Sequence, residues 1–98
     1  MFEVSPLEAK ARECMEIARE TTNLGLAMGA QDCALTIRKL PGWSVYGPET
    51  PDAATIERIE LCITRLKQAL WLTLSGSPKP VANARLTQAK EALARRFW

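Results

Sequence analysis

The chain has 98 residues, 47% of them apolar, with 13 lysines and arginines, 11 aspartates and glutamates, and no histidine. This length and composition fit one small globular domain with a modest core, so we predict a single domain over residues 1–98. The lack of histidine excludes Ser-His and Cys-His nucleophilic pairs, histidine general bases and histidine-ligated metals. The five glycines are scattered, so the sequence contains no phosphate-cradling glycine loop and no dinucleotide fingerprint. We therefore expect a protein that is not an enzyme and that binds no cofactor or metal.

The N-terminal sequence MFEVSPLEAK does not resemble a targeting signal. Glu3 and Glu8 stand where a secretory signal has lysine or arginine followed by an apolar run. The longest apolar run, near residues 69–74, is far shorter than the roughly 20 residues that span a membrane. We therefore expect a cytoplasmic protein with no membrane partner.

The three cysteines, Cys14, Cys33 and Cys62, are odd in number and distant from one another in the chain. That spacing is typical neither of a disulfide framework nor of a zinc site. We interpret them as small apolar residues on helix faces. The alternative is one redox-active thiol, which needs a nearby cation or helix N-terminus to lower its pKa, and the sequence shows neither.

The first predicted helix begins at Ser5. Ser5 suits the N-cap, Pro6 suits the first helical position, and Glu8 completes a capping box. Apolar and small residues then recur at steps of three and four, which predicts a packed helix face: Leu7, Ala11, Cys14, Ala18, Thr21, Gly25 and Met28. The end of this helix is left open: Asn23 and Gly25 weaken it, and Gly29 is a candidate stop. Residues 30–39 are read as a second, short helix or a continuation past a kink, with a strand over residues 34–40 as the alternative.

The segment LPGWSVYGPETPD, residues 40–52, cannot be helical because it holds three prolines and two glycines. It nevertheless carries Trp43 and Tyr46. We expect these aromatics to close the end of a helix bundle, with one of them partly exposed for a partner.

The third predicted helix begins at Pro51-Asp52, with Thr50 as its cap, and ends at Gly76. Its isoleucines and leucines have the spacing of a packed seam: Ile56, Ile59, Ile63, Leu66 and Leu70. The apolar surface widens around Trp71, which is either buried on a second side or meets a partner. A short connection precedes a last helix from about residue 80 to residue 97. The predicted fold is an all-α bundle of three long helices and one short helix, ending in an antiparallel helical hairpin.

Aromatic side chains are the usual anchors of protein interfaces. Our leading hypothesis is a protein-binding module that acts as an adaptor, regulator or inhibitor of a protein partner, such as a phage or mobile-element inhibitor of a host complex. The candidate partner-binding residues are Trp43, Tyr46, Trp71 and Trp98. A homodimer is also considered, because the small residues of the first helix and the apolar face around Trp71 exceed what a three-helix monomer easily covers.

Two alternatives remain open. Residues 61–98 hold seven lysines and arginines against one acid, a formal charge of +6, whereas residues 1–60 hold six against ten acids, a charge of −4. The chain could therefore be a nucleic-acid-associated regulator with a basic C-terminal helix, and its candidate contacts are Lys79, Arg85, Lys90, Arg95 and Arg96. In a purely structural interpretation, these cations instead stabilise the helix C-terminus and pair with acids of the first helix. The third hypothesis is a dimeric structural subunit of a larger assembly.

Overall fold

The computed structural model describes residues 3–47 and 52–94. They form four helices: α1 (Pro6–Glu20), α2 (Leu24–Arg38), α3 (Ala53–Leu74) and α4 (Lys79–Ala94). This confirms the all-α prediction, and a single Val4–Tyr46 bridge is the only β-type pairing within these two ranges. The most extensive packing is between α3 and α4 and between α1 and α2. No helix in these ranges has the length and apolar character needed to cross a membrane.

Two ion pairs show the relative direction of α1 and α3. Lys10 Nζ lies 3.8 Å from Glu60 Oε1, and Lys67 Nζ lies 3.8 Å from Glu13 Oε1. Because the later residue of α1 pairs with the later residue of α3, the two helices run parallel. The α1–α2 connection and the α3–α4 connection therefore lie at the same end of the bundle, which we call the connection end. The opposite end, where α1 begins and α2 finishes, we call the strap end.

The core is built from isoleucine and leucine of all four helices and from small residues that let the helices approach closely. Ile37, Ile59 and Leu66 are completely buried. α2 and α4 approach each other closely at Gly29, where an added Cβ would lie 2.5 Å from Leu86 Cδ1. Gly29 is thus a packing residue in the middle of α2 and does not stop a helix.

The first helix is shorter than predicted and the second is longer. α1 ends at Glu20, and α2 begins at Leu24 because Asn23 caps it: Asn23 Oδ1 accepts a hydrogen bond from the Leu26 amide at 3.0 Å. An N-cap of this kind offers the backbone an alternative to continued helix, so it overrides the apolar spacing across residues 21–28. The four helices have 15, 15, 22 and 16 residues, so the predicted short helix is not short.

Both ends of α3 are set by capping interactions of neighbouring residues. Asp52 is the N-cap, its Oδ1 accepting from the Thr55 amide at 2.7 Å, so the prediction that Thr50 caps this helix is wrong. The helix ends in a Schellman motif, in which Ser77 N donates to Leu72 O at 3.0 Å and Gly76 takes φ +80°. This confirms Gly76 as the stop. The predicted extension of the last helix to residue 97 lies outside the residues that the structure describes.

Candidate protein-binding surface

Residues 40–47 form a strap across the start of α1. The Ser5 amide donates to Val45 O at 3.1 Å, the Gly47 amide donates to Glu3 O at 3.1 Å, and Ser5 Oγ donates to Ser44 O. Val4 and Tyr46 pair as an antiparallel bridge. The strap is therefore held in place by hydrogen bonds to Glu3 and Ser5.

Glu8 organises the strap end. Its side chain is only 4% exposed, and its carboxylate accepts four hydrogen bonds. Arg12 Nε donates to Oε2 at 2.9 Å, Arg38 donates to both oxygens at 3.0 and 2.9 Å, and Trp43 Nε1 donates to Oε1 at 3.1 Å. The bonds from Arg38 first, and then those from Arg12 and Trp43, outweigh burial and lower the pKa of Glu8 to about 2.

Only half of the predicted capping box is present. The Glu8 amide donates to Ser5 Oγ at 3.2 Å, as expected for the N-cap. The Glu8 carboxylate does not return to the Ser5 amide, because the two arginines and the tryptophan occupy it. Sequence reasoning missed this cluster, although the spacing of Glu8 and Arg12, one helical turn apart, is visible in the sequence.

Trp43 and Tyr46 differ in environment. The Trp43 ring is partly buried against the core and its N–H is bound to Glu8, so this side chain closes the strap end. Tyr46 is 54% exposed, and its neighbour Val45 is also exposed. The strap thus presents Tyr46 outward while it holds Trp43 inward.

The three most exposed large apolar side chains in the described ranges are Leu24, Leu74 and Trp71, at 73%, 68% and 67% exposure. Leu24 opens α2, while Trp71 and Leu74 lie in the last turn of α3, so all three are at the connection end. The buried alternative for Trp71 does not hold. At roughly 100° per residue, Trp71 lies within about 40° of Glu60 and Lys67, on the charged flank of α3 rather than on its seam.

The candidate residues do not form one site. Trp43 and Tyr46 are at the strap end, whereas Trp71 is at the connection end, about 22 Å away along the length of a 15-residue helix. Trp98 lies outside the residues that the structure describes. The structure instead places Trp71 at the same end of the bundle as Leu74 and Leu24, and we call the surface with these three exposed side chains the apolar end.

Sequence reasoning missed Leu24 and the outer face of α2. Met28 and Leu35 continue that face at 57% and 52% exposure. Met28 was expected on the packed face of the first helix, an error that follows from extending the apolar spacing of that helix past Asn23. The visible signal was that α2 carries only two charged residues, Asp32 and Arg38, among 15.

An open recess of about 580 Å³ adjoins the apolar end and joins the two connections. Apart from Leu24 and Gly25, its lining is polar: Thr22, Asn23, Thr73, Ser77, Lys79 and Asn83. Exposed apolar side chains beside hydroxyl and amide groups have the composition of an interface core with a polar rim.

The basic residues of α4 do not share one face. Lys79 and Lys90 are exposed on one side of the buried face of α4, and Arg85 lies on the other side of that face, roughly 120–140° away from them around the helix. Arg85 Nη1 donates to Gln88 Oε1 at 3.0 Å. Arg95 and Arg96 lie outside the described ranges. The expected pairing of these cations with acids of α1 is not observed for the three that are described, since α1 does not contact α4.

Across residues 3–47 and 52–94, no group of three or more cysteine or acidic side chains is arranged to hold a metal ion. No protein-family model, curated protein or solved structure matches the chain.

Proposed function

We propose that the protein is a non-catalytic protein-binding module, an adaptor, regulator or inhibitor, whose partner docks on the apolar end. The observation that supports this is that Leu24, Trp71 and Leu74, each about two-thirds exposed or more, all lie at one end of the bundle. Single exposed apolar residues are ordinary on protein surfaces, but a group of large ones beside a polar rim is typical of an interaction site.

Trp71 is the proposed anchor of this surface. A tryptophan offers on the order of 200 Å² of contact area and is enriched among residues that dominate binding energy. Its position on a 22-residue helix fixes the backbone that presents it, so little ordering entropy is lost on binding. Leu74, one turn further along, extends the same contact.

The experiment is affinity capture from host lysate after nuclease treatment, with wild type, Trp71→Ala and Leu61→Ala compared side by side. Leu61 is the matched control because it is an exposed apolar residue of the same helix, at 45% exposure and away from the apolar end. We expect a stoichiometric protein that wild type and Leu61→Ala retain and Trp71→Ala loses. Equal capture by all three chains contradicts the proposed surface, and loss of every specific protein with the nuclease contradicts the proposed class of partner.

A dimeric structural subunit is a second candidate, favoured by Leu24, Met28 and Leu35 on the outer face of α2. The small-residue stripe of α1 does not support it, because Ala11 and Ala18 are buried within the single chain. Light scattering at micromolar concentration distinguishes the two: one chain mass contradicts the dimer, and two chain masses that become one in Met28→Ser support it. For the nucleic-acid regulator, the divided placement of Lys79, Lys90 and Arg85 provides no continuous basic face.

A further inference from the structure

The three cysteines meet in the core. Cys14 on α1, Cys33 on α2 and Cys62 on α3 are each at most 2% exposed. The Cys62 thiol is close enough to Cys14 and Cys33 that both affect its pKa. The sequence predicts three unrelated small residues, whereas the fold places the three cysteines, from three helices, in one core.

Cys33 also borders an opening. Cys33 lines an open recess of about 250 Å³ between α2 and α4, with Asp32, Thr36, Lys90, Leu93 and Ala94. The exposed Lys90 lines the same recess. Cys14 and Cys62 do not line it, so Cys33 is the cysteine nearest to a small solute that enters this recess.

The electrostatic environment separates Cys33 from Cys62. The hydrogen bond with Cys62 and then the charge of Lys90 lower the pKa of Cys33, and these two effects exceed the opposing ones of burial and Asp32. Hydrogen bonds with Cys14 and Cys33, together with burial, raise the pKa of Cys62. The recess therefore holds the more acidic thiol in front of a protonated one, which is the cation-assisted arrangement that sequence reasoning required of a redox-active cysteine.

We propose that Cys33 is a site of oxidation by small hydroperoxides and that Cys62 is its resolving thiol, so that oxidation forms a Cys33–Cys62 disulfide. The Cys33 thiol first releases its proton; the thiolate sulfur then attacks one oxygen of hydrogen peroxide, the O–O bond breaks, and the leaving hydroxide takes up the released proton to form water. Cys33 is then a sulfenic acid. The Cys62 sulfur attacks the Cys33 sulfur, the S–O bond breaks, and the second hydroxide leaves as water with the Cys62 proton. Two thiols lose two electrons and two protons, and the peroxide is reduced to two waters.

The disulfide would have a structural consequence. Cys33 belongs to the α1–α2 pair and Cys62 belongs to the α3–α4 pair, so the bond joins the two halves of the bundle covalently. It closes a loop that contains the whole strap. The oxidised chain should therefore unfold at a higher temperature than the reduced one.

The test treats the folded, reduced protein with hydrogen peroxide and follows the intact mass, then maps peptides without reduction. We expect a chain about 2 Da lighter, in which a Cys33 peptide is cross-linked to a Cys62 peptide, and which a thiol reductant restores. In Cys62→Ser, Cys33 should stop as a sulfenic acid that dimedone traps, while Cys14→Ser should still form the disulfide. A cross-link between other cysteines or between chains, or oxidation that requires denaturant, overturns the proposal.

A surface variant keeps the test independent of any effect of core substitutions on folding. Lys90→Gln removes the cation that faces Cys33, and Lys67→Gln removes an exposed lysine of α3 as the matched control. We expect the pseudo-first-order rate of Cys33 oxidation to fall severalfold in Lys90→Gln and to stay at the wild-type value in Lys67→Gln. Equal rates in the three proteins contradict the role of the recess.

Discussion

Glu8 makes both a local contact that the sequence predicts and long-range contacts that the sequence does not predict. Ser5 and Glu8 predict the start of α1 correctly, because an N-cap is a local interaction. Arg38 and Trp43 lie 30 and 35 positions away, and they reach the carboxylate only when α2 and the strap fold against α1. Four charge-assisted or indole hydrogen bonds compensate for the burial of the carboxylate, so this group links three segments of the chain at the strap end.

At this scale we predict that Glu8→Gln lowers the free energy of unfolding at neutral pH by on the order of 2–3 kcal/mol, because the arginines lose a charged partner and the amide nitrogen faces them. The pKa of Glu8 is lower in the folded chain, about 2, than its ordinary value of 4.5. Its stabilisation is therefore fully present above pH of about 4.5 and is lost as the pH falls toward 2. Urea unfolding at several pH values measures both effects.

Between pH of about 4.5 and 2, the free energy of unfolding should fall much less in the Glu8→Gln variant than in wild type. Asp52→Asn is the matched control: the pKa of Asp52 is also lowered, by hydrogen bonds to Thr55, but this carboxylate is a solvent-exposed cap. The Asp52→Asn variant should keep most of the wild-type decrease in the free energy of unfolding at acid pH. A Glu8→Gln chain with the wild-type pH dependence would show that Glu8 is not the group responsible.

At the scale of elements, the sequence predicts the existence and type of the helices well, and its largest error is the boundary between α1 and α2. The seam of α3 and its stop at Gly76 follow from apolar spacing and glycine, both of which are local signals. Asn23 is recognised in the sequence only as a weak point of the first helix, because the apolar spacing continues through it to Met28. The cap hydrogen bond of Asn23 decides the boundary, and it sends Met28 to the surface of α2.

Gly29 provides the test at this scale. Alanine favours helix over glycine by about 1 kcal/mol, but an added Cβ at residue 29 must displace Leu86 from the α2–α4 contact. We predict that Gly29→Ala destabilises the wild-type chain and stabilises the Leu86→Ala chain. Urea denaturation of the four proteins of this double-mutant cycle should give a coupling energy on the order of 1 kcal/mol. The same effect of Gly29→Ala in both backgrounds would contradict the close approach of the two helices.

For the whole molecule, the sequence predicts an all-α bundle but not which side chains it leaves exposed. The parallel direction of α1 and α3 depends on how two helix pairs dock, and the seam patterns are compatible with either direction. That direction places Leu24 next to the end of α3 and separates Trp71 from the strap aromatics. The residues proposed from the sequence therefore include an exposed tryptophan at the connection end, Trp71, together with Trp43 and Tyr46, which lie at the opposite end.

The apolar end should matter for binding and not for folding. We predict that Trp71→Ala and Leu74→Ser each change the free energy of unfolding by less than about 0.5 kcal/mol, because exposed side chains contribute little to the core. Thermal unfolding monitored by circular dichroism measures this. A loss of several kcal/mol in either variant would show that the side chain supports the fold.

The most direct test of the central claim is the affinity of the captured partner, measured by titration calorimetry with purified wild type, Trp71→Ala and Leu61→Ala. If Trp71 anchors the interface, its truncation should weaken binding at least about 20-fold, equivalent to nearly 2 kcal/mol, while Leu61→Ala stays within about twofold of wild type. A Trp71→Ala chain that binds its partner as tightly as wild type would contradict the assignment of the apolar end as the binding surface.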